Sequence, residues 1–66
     1  MAITVNGESR QYPAAPTIAQ LVESLDLVGK RIAIERNGEI VPRSRYPEVT
    51  VSDGDALEVV VAVGGG

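Results

Sequence analysis

Asn-Gly occurs twice in this chain, at Asn6-Gly7 and Asn37-Gly38, each time between short alternating segments. That dipeptide favours the positive φ angles of a type I′ turn and is the strongest short-range signal for a β-hairpin. Ile3 and Val5 alternate with Thr4 and Asn6 before the first turn, which is strand period. Glu8-Ser9-Arg10-Gln11-Tyr12 returns as a polar edge strand. Pro13 ends it, because proline cannot donate to a sheet ladder. Before the second turn, Ile32 and Ile34 alternate with Arg31, Ala33 and Glu35; after it, Glu39-Ile40-Val41 is a short return strand ended by Pro42.

One helix lies between the hairpins. Thr17 is its N-cap, and Gln20 three residues later completes a capping box. Ile18, Leu21, Val22 and Leu25 fall at i, i+3, i+4 and i+7, making one apolar stripe. Gly29 marks the stop, so the expected helix has about ten residues. Arg43 to Thr50 reads as an irregular connection holding Pro47, with Tyr46 packed beneath it. Asp53-Gly54-Asp55 reads as a turn. Leu57-Glu58-Val59-Val60-Val61-Ala62-Val63 is then a nearly continuous β-branched run, suited to a central strand.

Hairpin, helix, hairpin and a long last strand leave few architectures. A single helix covers one face of a sheet, so two layers are expected. The most apolar strand belongs in the middle, beside and parallel to the first. This is an α+β fold of the β-grasp, or ubiquitin-like, kind: a mixed sheet of four to five strands with one main helix packed across it. Residues 1–63 are expected to form the domain, and residues 64–66 a flexible C-terminal glycine tail.

Composition narrows the function. A chain of 66 residues is one small domain with a thin core. It contains no Cys and no His, so disulfide, Cys/His metal and His or Cys nucleophile chemistry are all missing. A domain this short has little room for an enclosing pocket of ~300 Å³ or more, and a carrier or binding role gains weight over an enzyme. A net charge of −3 argues against nucleic acid as a partner. No apolar run approaches the ~20 residues of a membrane span, and no signal peptide is evident at Met1-Ala2-Ile3-Thr4-Val5. The expectation is a soluble cytoplasmic protein, monomeric when free.

What remains for chemistry is the end, Gly64-Gly65-Gly66. Without Cβ atoms such a segment can enter a narrow channel, and a carboxyl beside a glycine Cα is unhindered to attack. Fraying is the default for any terminus. A carboxylate at neutral pH is a poor acyl donor, and adenylation would activate it. On the last strand, Leu57, Val59 and Val61 would face the helix, and Glu58, Val60 and Ala62 would face away. Val60 and Ala62 would then form an apolar patch for partner docking. Asp53 and Asp55 could be paired carboxylates, but the turn reading is stronger. Arg31, Arg36, Arg43 and Arg45 could meet an acidic partner, with a solvated face as the plainer reading.

Three segments carry a family resemblance: Asn37-Gly38-Glu39-Ile40-Val41-Pro42-Arg43-Ser44, then Ser52-Asp53-Gly54-Asp55-Ala56-Leu57-Glu58-Val59-Val60, then Gly64-Gly65-Gly66. With these in order over its whole length, the chain resembles the ThiS family of sulfur carriers in thiamin thiazole synthesis. The resemblance implies that Gly66 is the modified residue and Gly65 its partner in the terminal Gly-Gly, with Gly64 extending the stalk. It implies a ThiF-type adenylyltransferase that uses ATP and Mg, a persulfide sulfur donor, and thiazole synthase (ThiG) as acceptor of the thiocarboxylate sulfur. The carrier itself would bind no cofactor. Tyr46 stands where the family often has Trp. The molybdopterin synthase small subunit, a ubiquitin-like modifier and an inert interaction module are the alternatives.

Overall fold

Both Asn-Gly dipeptides form the expected turns. In the computed structural model, which describes residues 1–62, Asn6 and Gly7 have φ of 51° and 82°, and Asn37 and Gly38 have 50° and 87°. Positive φ at both central residues is the type I′ geometry, whose twist matches that of the flanking strands. The first turn joins β1 (Ala2–Val5) to β2 (Glu8–Gln11), with Val5 opposite Glu8 and Ala2 opposite Gln11. The second joins β3 (Ile32–Arg36) to β4 (Glu39–Ile40). All four β2 residues are exposed, as suits a polar edge.

β5 (Ala56–Val61) lies between the two hairpins. It runs parallel to β1, with Val5 beside Leu57, and antiparallel to β3, from Ile32 opposite Val61 to Arg36 opposite Leu57. The resulting five-stranded sheet has the order β2-β1-β5-β3-β4. The most β-branched strand is therefore central and pairs with the first, as its composition predicts. Val63, expected to end this strand, lies outside the described residues.

The helix α1 (Ile18–Ser24) starts as the sequence predicts. The Gln20 N–H donates to Thr17 Oγ1 (3.1 Å), and the Thr17 N–H donates to Gln20 Oε1 (2.9 Å). Two further donors of the first turn are met from outside the helix: Ile18 N–H by the Val49 carbonyl (2.8 Å) and Ala19 N–H by that of Tyr46 (2.9 Å). Its end differs from expectation. The helix has seven residues, not about ten, and Gly29 does not stop it. Asp26, at φ 59°, is the left-handed residue that closes it. Asp26 N–H donates to Glu23 and Leu27 N–H to Val22 (3.0 and 3.1 Å), which is the Schellman pattern. Aspartate tolerates this conformation better than most residues, so the stop comes a turn earlier than the glycine.

Ile18, Leu21 and Val22 of the helix meet Ile3, Val5, Ile34, Leu57 and Val59 of the sheet in one core. The segment after β4 closes the core's side. It includes an unexpected 3-10 turn at Arg43–Arg45, and it buries Val41, Tyr46 and Val51. The packing of Tyr46 beneath this connection is as expected. Among the described residues, no helix is long and apolar enough to cross a membrane.

Candidate functional site

Strand alternation divides β5 between core and surface. Leu57 and Val59 point into the core, while Glu58, Val60 and Ala62 are exposed on the opposite face. Val60 keeps 62% of its surface. Its cross-strand neighbour Ala33 is also exposed. Ile40, opposite Glu35 on the same face, is 64% exposed. The two residues singled out for docking, Val60 and Ala62, thus share an open and partly apolar sheet face. Val61 departs from expectation: it lies on the helix side but is 44% exposed. The helix is too short to cover it, and it lines a shallow groove with Leu25, Leu27 and Val59 instead.

β5 is held against both hairpins by the turn asparagines. The Asn6 side chain donates to the Val59 carbonyl (3.0 Å) and accepts from the Val59 N–H (2.7 Å). It extends the ladder beyond the last β1 residue. Asn37 accepts from the Ala56 N–H through Oδ1 (2.9 Å), and its own N–H donates to the Ala56 carbonyl (2.8 Å). Sequence reading assigned both asparagines to turns and missed this second role. The available signal was the choice of Asn, whose amide both donates and accepts, at the same place in both hairpins.

Asp55, just before β5, is buried. Its carboxylate accepts from Arg36 Nε (2.7 Å), the Ser52 N–H (2.8 Å) and Asn37 Nδ2 (3.0 Å). Burial by itself raises its pKa. The hydrogen bonds from Ser52, Asn37 and Arg36, with the charge of Arg36, outweigh that and hold it below the ordinary carboxylate value. Asp53 accepts the Ala2 N–H (2.6 Å). Both carboxylates of the Asp53-Gly54-Asp55 turn are therefore engaged in tying chain segments together. Among the described residues, no group of three His, Cys, Asp or Glu side chains is placed to hold a metal ion.

The cations divide likewise. Arg36 pairs with Asp55, and Arg45 pairs with Glu48 (2.7 Å). Arg31 and Lys30 sit at the end of the sheet where β5 finishes. There the Ala62 N–H donates to the Arg31 carbonyl (2.9 Å), and Arg43 Nη2 donates to that of Lys30 (3.0 Å). Gly64, Gly65 and Gly66, the residues named for modification and for entry into a partner, lie outside the described residues.

The sequence pattern of the ThiS family matches residues 3–66. A sulfur carrier protein ThiS of Bacillus subtilis is 46% identical over 50 residues, covering 76% of each chain. A thiazole synthase of Paramagnetospirillum magneticum is 46% identical over all 66 residues, which make up 20% of that longer protein. The chain thus spans about a fifth of the length of that relative. Among solved structures, the crystal structure of a thiamine biosynthesis protein (ThiS) from Geobacter metallireducens superposes with a TM-score of 0.84. It is 32% identical, with both chains fully covered.

Proposed function

Since the chain belongs to the ThiS family, we propose that it is a sulfur carrier for thiazole formation in thiamin biosynthesis, a co-substrate rather than a catalyst. The observation that carries this reading is the full-length likeness to ThiS proteins on the same β-grasp scaffold. The match to part of a thiazole synthase supports that enzyme as the sulfur acceptor.

In this reading the reacting group is the Gly66 carboxylate. An oxygen of it attacks the α-phosphorus of ATP on a ThiF-type adenylyltransferase, which also holds the Mg ion, and pyrophosphate leaves. The acyl-adenylate is a far better electrophile than the carboxylate. A persulfide sulfur attacks the acyl carbon and expels AMP. A thiol then cleaves the remaining S–S bond and releases the terminal thiocarboxylate. Thiazole synthase takes that sulfur. Gly64, Gly65 and Gly66 present only backbone, so an enzyme can enclose them closely on all sides. The carrier contributes recognition through Val60 and Ala62. Asp53 and Asp55 are bonded internally and are given no part in this chemistry.

Intact-protein mass spectrometry tests the reading. The chain is incubated with ATP, an activating enzyme and a persulfide donor. Replacement of one terminal oxygen by sulfur is the expected product. A chain lengthened by one residue after Gly66 should remain unmodified while keeping its fold. Normal loading of that uncleaved, lengthened chain would overturn the assignment of Gly66. A covalent protein adduct that survives a reducing thiol, in place of the sulfur shift, would make the chain a modifier instead.

A further inference from the structure

The open sheet face is ordered by charge along the β3–β5 ladder. Glu35 stands opposite Glu58, and Ala33 stands opposite Val60. The bond from the Ala62 N–H to the Arg31 carbonyl carries the ladder one step further and sets Arg31 opposite Ala62. Alternation puts these three pairs on the face away from α1, in rows about 7 Å apart. The face therefore reads acidic, apolar, basic. Its basic row lies at the end where the chain leaves the sheet.

Among the described residues, neither Glu35, Glu58 nor Arg31 belongs to an ion pair, whereas Arg36 and Arg45 do. Like charges directly opposite on a ladder repel. The acidic row thus sets two like charges across the ladder with no ion-pair partner among the described residues, and beside it Val60 and Ile40 leave apolar surface in water.

On the open face by which the carrier reading has the chain meet thiazole synthase, we infer that the charged ends set the direction in which the carrier lies on that enzyme. The inference rests on the carrier reading above. A segment 46% identical to this whole chain is part of a thiazole synthase in P. magneticum, so domains of this kind and the synthase are held together there. The complementary surface carries a carboxylate over Arg31, beside the entrance that receives the tail. It is apolar over Ala33 and Val60. It carries an Arg or Lys over Glu35 and Glu58, about 14 Å from the carboxylate, the span of four strand residues. A carrier docked the wrong way round sets like charges against each other at both ends. Such an arrangement is rejected while the correct one is steered into place.

Calorimetric titration of thiazole synthase with the carrier tests this. Arg31→Glu and Glu58→Lys change the net charge in opposite directions. Each is expected to weaken binding about fivefold, and the double reversal more. Arg10→Glu and Glu23→Lys carry the same charge changes at exposed sites off this face and should leave affinity within about twofold. Unchanged circular dichroism and melting temperature verify that each variant is folded. Opposite effects of Arg31→Glu and Glu58→Lys would show that net charge alone governs association, and would overturn the inference. So would controls as damaging as the face variants, or a wild-type chain that does not bind the synthase. Sulfur loading of the wild type, read separately by mass, reports on the carrier reading. Normal loading with unaltered binding of the face variants defeats the docking inference alone, whereas failure to load defeats the carrier reading.

Discussion

Asp55 is a buried carboxylate that joins three segments of chain, the end of β3, the turn at Asn37 and the loop at Ser52. Removing its charge leaves Arg36 without its partner and weakens all three bonds. Asp55→Asn should lower stability at neutral pH by about 2 kcal/mol, the scale of hydrogen bonds to a charged group. The pH dependence has a definite sign. The folded pKa lies below the unfolded value of about 3.9, so the contribution is full above that value and fades as pH falls through the folded pKa. Urea melts should give a constant difference between wild type and Asp55→Asn from about pH 5 to 7, shrinking below about pH 4. A difference independent of pH down to acid unfolding would show that the charge plays no part. Little of this was legible beforehand. Asp55 reads as a turn residue because its partners Arg36 and Asn37 lie 19 and 18 residues away.

At the scale of elements, α1 shows what local sequence can and cannot specify. Its start was legible because the capping box involves residues three apart, Thr17 and Gln20. Thr17→Ala should cost about 1 kcal/mol. That corresponds to about 4–8 °C in melting temperature for a domain of this size, measurable by calorimetry. A Thr17→Ser control should recover most of it, since serine keeps the accepting oxygen. Equal losses in both variants would point to the threonine methyl rather than the cap. The helix end was read wrongly because backbone bonds at Asp26 and Leu27 satisfy the last carbonyls before Gly29 is reached. The hairpins were legible for the same reason as the helix start. Asn-Gly specifies its own backbone angles with little help from the rest of the fold.

At the scale of the whole molecule, the one α-helix and five strands among the described residues leave one sheet face uncovered. Val60 stands on that face, so a charge there should be neutral to folding but harmful to association. Val60→Asp is expected to keep the melting temperature within a few degrees, because the side chain is 62% exposed. It should weaken binding to both the adenylyltransferase and thiazole synthase by roughly tenfold, through loss of apolar contact and burial of an unpaired charge. Unchanged affinity for both enzymes would remove Val60 from the docking surface. Val61 carries the opposite lesson. Strand period assigned it to the covered side correctly, yet the cover ends at Ser24 and leaves it partly in solvent.

By itself the sequence determined the two turns, the strands beside them, the helix start, the central placing of the last strand and the family. Each depends on neighbours a few residues apart or on the pattern of the whole chain. Only the tertiary structure decided the clamps of Asn6 and Asn37 on β5, the burial of Asp55 against Arg36 and the exposure of Val61. It also aligned Glu35 with Glu58 and Arg31 with Ala62. These depend on register between segments remote in sequence, and register is set when the strands pair around a shared core.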